Sequence, residues 1–155
     1  MKIVFVSDTH GDEDALKNIV EFSKGYDAII HTGDVLPYGV AHSCFISDYI
    51  STLDNIYFVR GNTDYFDRET KDTEIFEIDG KKVLLTHGHL FGVKSNLKEL
   101  EEKAISEKVD ICIFGHTHKE YMEERNGIIY LNPGALQDKK YVIYDNKKFE
   151  QKILK

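Results

Sequence analysis

The chain has 155 residues, 41% of them apolar and 30% charged, enough for one domain (residues 1–155) around a proper core. Its formal net charge of −7 argues against long nucleic-acid duplexes and anionic membranes as partners, since phosphate-tracking surfaces are basic, but leaves room for a small phosphate compound held by a metal. Two cysteines, Cys44 and Cys112, form no disulfide framework, and MKIVFVSDTHG at the start is too short an apolar run for a signal peptide or membrane span, so a cytoplasmic location is expected.

Residues 2–6 (KIVFV) are a continuous apolar run, as a strand buried on both faces requires. From 12 to 23 the spacing of Ala15, Leu16, Ile19, Val20 and Phe22 predicts an amphipathic helix. A second buried strand follows at 27–31, a helix at 42–53 and a third strand at 56–60, which is the βαβ order with right-handed crossovers. The second half changes style. Strands flank Asp79-Gly80 within 73–87 and Asn126-Gly127 within 120–132, and a terminal hairpin over 140–154 is centred on Asp145-Asn146. Between them lie a helix over 94–107, with Leu97, Leu100 and Ala104 inward, and a buried strand at 110–114 carrying Cys112 as a small hydrophobe. The number and order of elements suggest two packed sheets with helices outside. The Lys-rich end, 147–155, reads as a solvated hairpin face.

Polar punctuation follows the apolar strands repeatedly: Ser7-Asp8-Thr9-His10-Gly11, His31-Thr32-Gly33-Asp34, Gly61-Asn62-Thr63-Asp64, His87-Gly88-His89 and Gly115-His116-Thr117-His118. Strands sharing a sheet edge gather such loops, and open α/β sheets bind ligands there. Asp, His and Asn are the oxygen and imidazole ligands of divalent first-row metals, and no cysteine joins them, which argues against a structural zinc site. Asp8 and His10 are two apart, as are His116 and His118. In extended chain each pair would project to one side and converge. The candidates are Asp8, His10, Asp34, Asn62, His87, His116 and His118, too many for one open site and suited to two metals sharing a carboxylate. His31 lies inside its strand and reads as a packing residue, His42 as a surface or helix-start residue, and Gly61 as the point where the chain bends.

The blocks SDTHG (7–11), HTGD (31–34), RGNTD (60–64), THGH (86–89) and GHTH (115–118) resemble the calcineurin-like metallophosphoesterase superfamily. The small size and YLNPGA (130–135) resemble its compact, YfcE-like phosphodiesterase branch. The resemblance implies an α/β fold, a four-layer α/β/β/α sandwich of two mixed sheets flanked by helices. It implies one metal on Asp8, His10 and His118, another on Asn62, His87 and His116, and Asp34 bridging them. Manganese is the expected ion, with iron, nickel, zinc and magnesium as alternatives. A homodimer or homotetramer is expected from relatives.

The reaction so implied is hydrolysis of a small phosphate ester by in-line attack of a hydroxide bridging two divalent ions. Two dications, two carboxylates and a hydroxide leave a charge of about +1, which a diester monoanion balances. Many larger superfamily members carry a histidine where this chain has Thr63, and a threonine hydroxyl is no useful acid at neutral pH. Aryl esters, whose leaving groups need less protonation, should therefore be favoured. His89 is the nearest alternative proton donor, and Asp64 is expected to orient a neighbouring histidine. Loops 35–43, 65–72 and 89–95 would set specificity. The alternative reading is a non-catalytic, metal-binding scaffold of the same fold, which the integrity of all seven ligand positions disfavours.

Overall fold

The computed structural model describes residues 1–37, 44–64 and 70–155. The expectations for His42, for the Cys44 thiol and for most of loops 35–43 and 65–72 lie outside the described positions. Strands β1 (Ile3–Val6), β2 (Ala28–His31), β3 (Ile56–Phe58), β9 (Lys140–Asp145) and β10 (Lys148–Ile153) form one sheet in the order β10-β9-β1-β2-β3. Strands β4 (Thr73–Ile78), β5 (Lys81–Thr86), β6 (Ile111–Ile113), β7 (Tyr121–Arg125) and β8 (Ile128–Asn132) form the other, in the order β4-β5-β6-β8-β7. Both sheets are mixed. β1, β2 and β3 run parallel in the first, and β5, β6 and β8 in the second.

Strand alternation builds the layers. Ile3 and Phe5 face inward and meet Val83, Leu85, Ile111, Ile113 and Leu131 from the opposite sheet. Val4 and Val6 face outward, under Ala15, Leu16 and Ile19 of helix α1 (Glu13–Phe22) and Ile46 of α2 (Cys44–Ser51). Leu84, Cys112 and Tyr130 face outward on the second sheet, under Leu100 and Ala104 of α3 (Lys98–Ser106). The result is the expected helix–sheet–sheet–helix sandwich, and each fully buried aliphatic side chain contributes about 1.5–3 kcal/mol. Among the described residues, no helix is long and apolar enough to cross a membrane.

Three local expectations shift. Phe22 is 44% exposed rather than inward, packing edge-on against Tyr26 and Tyr141 at the helix end. Helix α3 begins at Lys98, not 94, because Gly92 opens a turn and the Asn96 side chain accepts from the Lys98 amide at 3.0 Å, an Asx turn just ahead of the Leu97 N-cap. The last hairpin turns on Asn146-Lys147, with φ of 50° and 63°, one residue beyond the expected pair; the two-residue loop that matches strand twist needs both central residues left-handed.

Candidate metal centre

The loops after β1, β2, β5 and β6 meet at one end of the sandwich, and backbone contacts tie neighbouring loops together. The Asp8 amide donates to the Gly33 carbonyl (3.0 Å), that of Gly115 to His87 (2.9 Å) and that of Leu136 to Ser7 (2.7 Å). Five candidate ligands here have left-handed backbone: Asp8 (φ 52°), His10 (47°), Asp34 (61°), His116 (70°) and His118 (62°). Each such residue costs about 1–3 kcal/mol and persists only where its surroundings over-determine it. This corrects the extended-chain argument for pairing. Asp8 and His10 converge all the same, whereas His116 and His118 fall into different groups, as the motif resemblance implies; the left-handed steps, present in both pairs, remove the extended-chain reason without dictating either outcome.

Asp8, His10 and His118 form one group and Asp34, His87 and His116 another; within each, one ligand atom per residue lies within 4.8 Å of the others. Asp34 Oδ2 reaches both, at 3.1 Å from His87 Nε2 and 3.6 Å from His10 Nε2. Asn62 Oδ1 is 3.1 Å from His87 Nε2, beside the second group.

Each carboxylate divides its oxygens. Asp8 Oδ2 accepts from the Ser7 hydroxyl (2.5 Å) and the His116 amide (3.1 Å), and Asp34 Oδ1 accepts from the Thr63 amide (2.9 Å). Asp8 Oδ1 and Asp34 Oδ2 are buried and have no hydrogen-bond partner among the described residues. They face imidazole nitrogens that also face one another, His10 Nε2 to His118 Nε2 at 3.1 Å and His87 Nε2 to His116 Nδ1 at 3.2 Å. Buried oxygens without donors beside converging nitrogen lone pairs are costly unless a cation sits among them. The donor set, carboxylate, amide oxygen and imidazole, fits divalent first-row ions.

Electrostatics agree. Burial alone would raise both carboxyls, but the His87 imidazole, when protonated 3.1 Å from Oδ2, holds Asp34 well below the usual carboxylate range, and His10 lowers Asp8. Burial, then the charge of His87, lowers His116 to about 4.

Ser7, Thr32 and Gly115 form the floor. Thr32 donates to the Ser7 hydroxyl, which passes its own proton toward Asp8, and a Cβ on Gly115 would lie 2.0 Å from Ser7 Oγ. His31 is a packing residue, as expected: its Nδ1 accepts from the Gly33 amide (3.0 Å), so Nε2 carries the proton and donates to Thr9 Oγ1 (2.7 Å). His87 has the opposite tautomer in its neutral form, with Nδ1–H donating to the Thr32 carbonyl at 2.9 Å and Nε2 open toward Asp34.

Asp64 departs from expectation. It contacts no histidine but accepts from the backbone amides of Asp34 (2.8 Å), Val35 (3.0 Å), Leu36 (3.2 Å) and Gly61 (2.9 Å), and so fixes the loop that carries Asp34. Thr63 is fully buried, its hydroxyl without a partner among the described residues. The His89 ring lies 5.4 Å from that of His87 and 6.2 Å from that of His116, and its buried Nδ1 has no partner.

Sequence reasoning missed two residues, one at the end of β8 and one just past it. Asn132 donates to the Gly115 carbonyl (3.1 Å) and Thr117 Oγ1 (3.0 Å) and accepts from the Gly134 amide (2.9 Å), bracing the His116–His118 loop. Gln137 places its amide 3.3 Å from His118 Nδ1. Asn132 stood in the quoted YLNPGA, but nothing local signals that its amide reaches back across strands.

The profile of the calcineurin-like phosphoesterase superfamily domain matches residues 1–147. The chain belongs to this superfamily. It is 29% identical to phosphodiesterase YfcE of Escherichia coli, covering 88% of this chain and 79% of that protein. The YfcE crystal structure superposes with a TM-score of 0.72 at 25% identity, covering all of both chains. An archaeal phosphodiesterase gives 0.79 at 26% identity over 99% of this chain and 100% of that one. Zinc-bound Vps29 of Entamoeba histolytica, at 20% identity and 0.72 over both full chains, shares the fold. Superfamily membership makes the chain a metallophosphoesterase in kind, and divalent metals are this family's cofactors.

Proposed function

We propose that the protein is a dinuclear, metal-dependent phosphodiesterase acting on a small phosphate diester. The observation that carries this reading is the pair of buried, donorless oxygens, Asp8 Oδ1 and Asp34 Oδ2, each set among imidazole nitrogens. Asp8, His10 and His118 would hold one ion, Asn62, His87 and His116 the other, with Asp34 shared because Oδ2 reaches both groups. Two divalent ions bound there supply Lewis acidity and a nucleophile drawn from water at neutral pH.

The chain's own residues prepare that chemistry. The Thr32 carbonyl holds the His87 proton on Nδ1 and leaves Nε2 available as a ligand. Ser7 and the His116 amide occupy one oxygen of Asp8, so only the other is offered inward. Two dications against two carboxylates leave the site net positive and complementary to a phosphate anion, and the modest excess favours a diester monoanion. Thr63 offers no acid, and His89 is the nearest group able to hold a proton for the leaving oxygen.

The test is metal analysis of the purified protein followed by hydrolysis of a chromogenic aryl phosphodiester and the matching monoester, with and without chelator, manganese first. Chelator-sensitive hydrolysis, faster on the diester, is expected. Comparable rates on the two esters would sink the diester preference. Inactivity with every divalent ion would favour the scaffold reading.

A further inference from the structure

His118 differs from the other imidazoles of the centre in how it is held. Its side chain is 35% exposed, against 8% for His10 and full burial for His87, so packing alone leaves its ring free to turn. What restrains it is Gln137, whose amide nitrogen lies 3.3 Å from Nδ1, on the ring edge away from Asp8. The far nitrogen, Nε2, is 3.2 Å from Asp8 Oδ1 and 3.1 Å from His10 Nε2.

Gln137 is itself on a rigid mount. It belongs to a single 3-10 turn, Leu136–Asp138, whose Leu136 is fully buried against the α1 side of the first sheet. The Leu136 amide donates to the Ser7 carbonyl (2.7 Å) and the Gln137 amide to the Asp8 carbonyl (3.3 Å). Just beyond the turn, Lys139 Nζ reaches Asp12 Oδ2 at 3.3 Å, tying it to the start of α1. One residue thus braces the Asp8 backbone and the His118 ring together.

The chemistry of the partner matters. A neutral imidazole carries one N–H. The backbone carbonyl opposite His87 can only accept, so it leaves Nε2 of that ring as a ligand in every neutral state. A primary amide can donate or accept. With its nitrogen toward Nδ1, as placed, Gln137 donates, the proton sits on Nε2, and that atom cannot bind an ion. Half a turn about the last side-chain bond presents the amide oxygen; Nδ1–H then donates and Nε2 offers its lone pair.

We propose that Gln137 is a positioning residue that orients His118 and selects its tautomer, and thereby sets the affinity of the Asp8/His10/His118 group without touching the other group. This rests on the reading of the two groups as metal sites. Binding of Mn2+ to the chelator-stripped full chain, followed by calorimetry, tests both. Wild type is expected to bind two ions, and His118→Ala to lose or cripple one site. Gln137→Leu should weaken one class of site roughly 10–100-fold and leave the other unchanged, with the metal-free melting temperature unaltered. Gln137→Glu, which can only accept, should restore tight binding. Since its charge could do so alone, the tautomer is read separately from the imidazole 15N shifts of the metal-free protein. His118 should be Nε2–H in wild type and Nδ1–H in Gln137→Glu. Two intact sites in Gln137→Leu, or an Nε2–H ring in Gln137→Glu, would overturn the role of Gln137 while leaving the metal centre standing. A wild-type chain that binds no divalent ion would overturn both.

Discussion

Gly61 runs so close to Asp34 that a Cβ at position 61 would sit 2.1 Å from Asp34 Oδ1 and 2.3 Å from its backbone nitrogen. Gly61 opens the expected bend, its carbonyl accepting from the Asp64 amide at 3.2 Å, but without a left-handed φ, so what requires glycine there is clearance. Gly61→Ala should push the Asp34 carboxylate out of register with both groups. A misplacement of about 1 Å costs on the order of 100-fold in rate. The expected outcome is a folded protein, by circular dichroism, with turnover of an aryl phosphodiester reduced by about that factor. Wild-type turnover in a folded variant would show that the contact is slack.

Asp34 Oδ2 reaches both groups, whereas His118 serves only one. Elemental analysis after loading and desalting should therefore find both ions diminished in Asp34→Ala, and one retained in His118→Ala. Equal losses in the two variants would mean that Asp34 is not shared.

Asp64 accepts four backbone amides, of Asp34, Val35, Leu36 and Gly61, from a nearly buried position. Asp64→Ala strands those donors, at about 1–3 kcal/mol for each one left without water. Urea unfolding of the metal-free protein should show a loss of about 3 kcal/mol or more. A loss below about 1 kcal/mol would indicate that water replaces the carboxylate.

His31 gives a pH signature. Full burial, with Asp8 and Asp34 pulling upward and His87 and His10 pushing downward, lowers it from 6.5 to about 4. Between those values the unfolded chain binds a proton that the folded chain refuses, so stability falls as pH drops from 6.5 toward 4. The full effect is about 3 kcal/mol for this one group. In chelator, the stability difference between wild type and His31→Gln should shift by up to that amount from pH 7.5 to pH 4, moving against wild type. A difference constant with pH would show that His31 stays neutral in both states or charged in both.

Thr63 is buried, and its hydroxyl has no partner among the described residues. Rates on aryl diesters should accordingly rise steeply as the leaving phenol becomes more acidic, and alkyl esters should be poor substrates. A flat dependence would point to a working acid, with His89 the first residue to replace.

The elements were legible because their causes are local. Apolar runs marked β1, β2 and β6, helical spacing marked α1, and Asp79-Gly80 and Asn126-Gly127 marked two hairpins with both turn residues left-handed, as such loops require. Errors fell where a tertiary contact competes. Phe22 leaves its helical face to meet Tyr141, a partner far along the chain. The α3 start moved because turns at Gly92 and Asn96 precede it, a signal lost in the weak periodicity of 94–97.

Residue types at the strand ends announced a metal centre, but not how it is sorted. The sequence by itself determined that Asp8, His10, Asp34, Asn62, His87, His116 and His118 stand at loop positions following strands, because hydrophobic periodicity ends there. The motif resemblance implied that His116 and His118 part company with Asp34 between the two groups; the tertiary structure supplied the geometry of that arrangement, and it alone decided that Asp64 and Gln137 brace Asp34 and His118 respectively. Those relations depend on left-handed backbone steps and on hydrogen bonds such as that from the His116 amide to Asp8, 108 residues apart. Sequence periodicity carries no information about contacts of that separation; they exist only once two sheets have packed and brought their strand ends together.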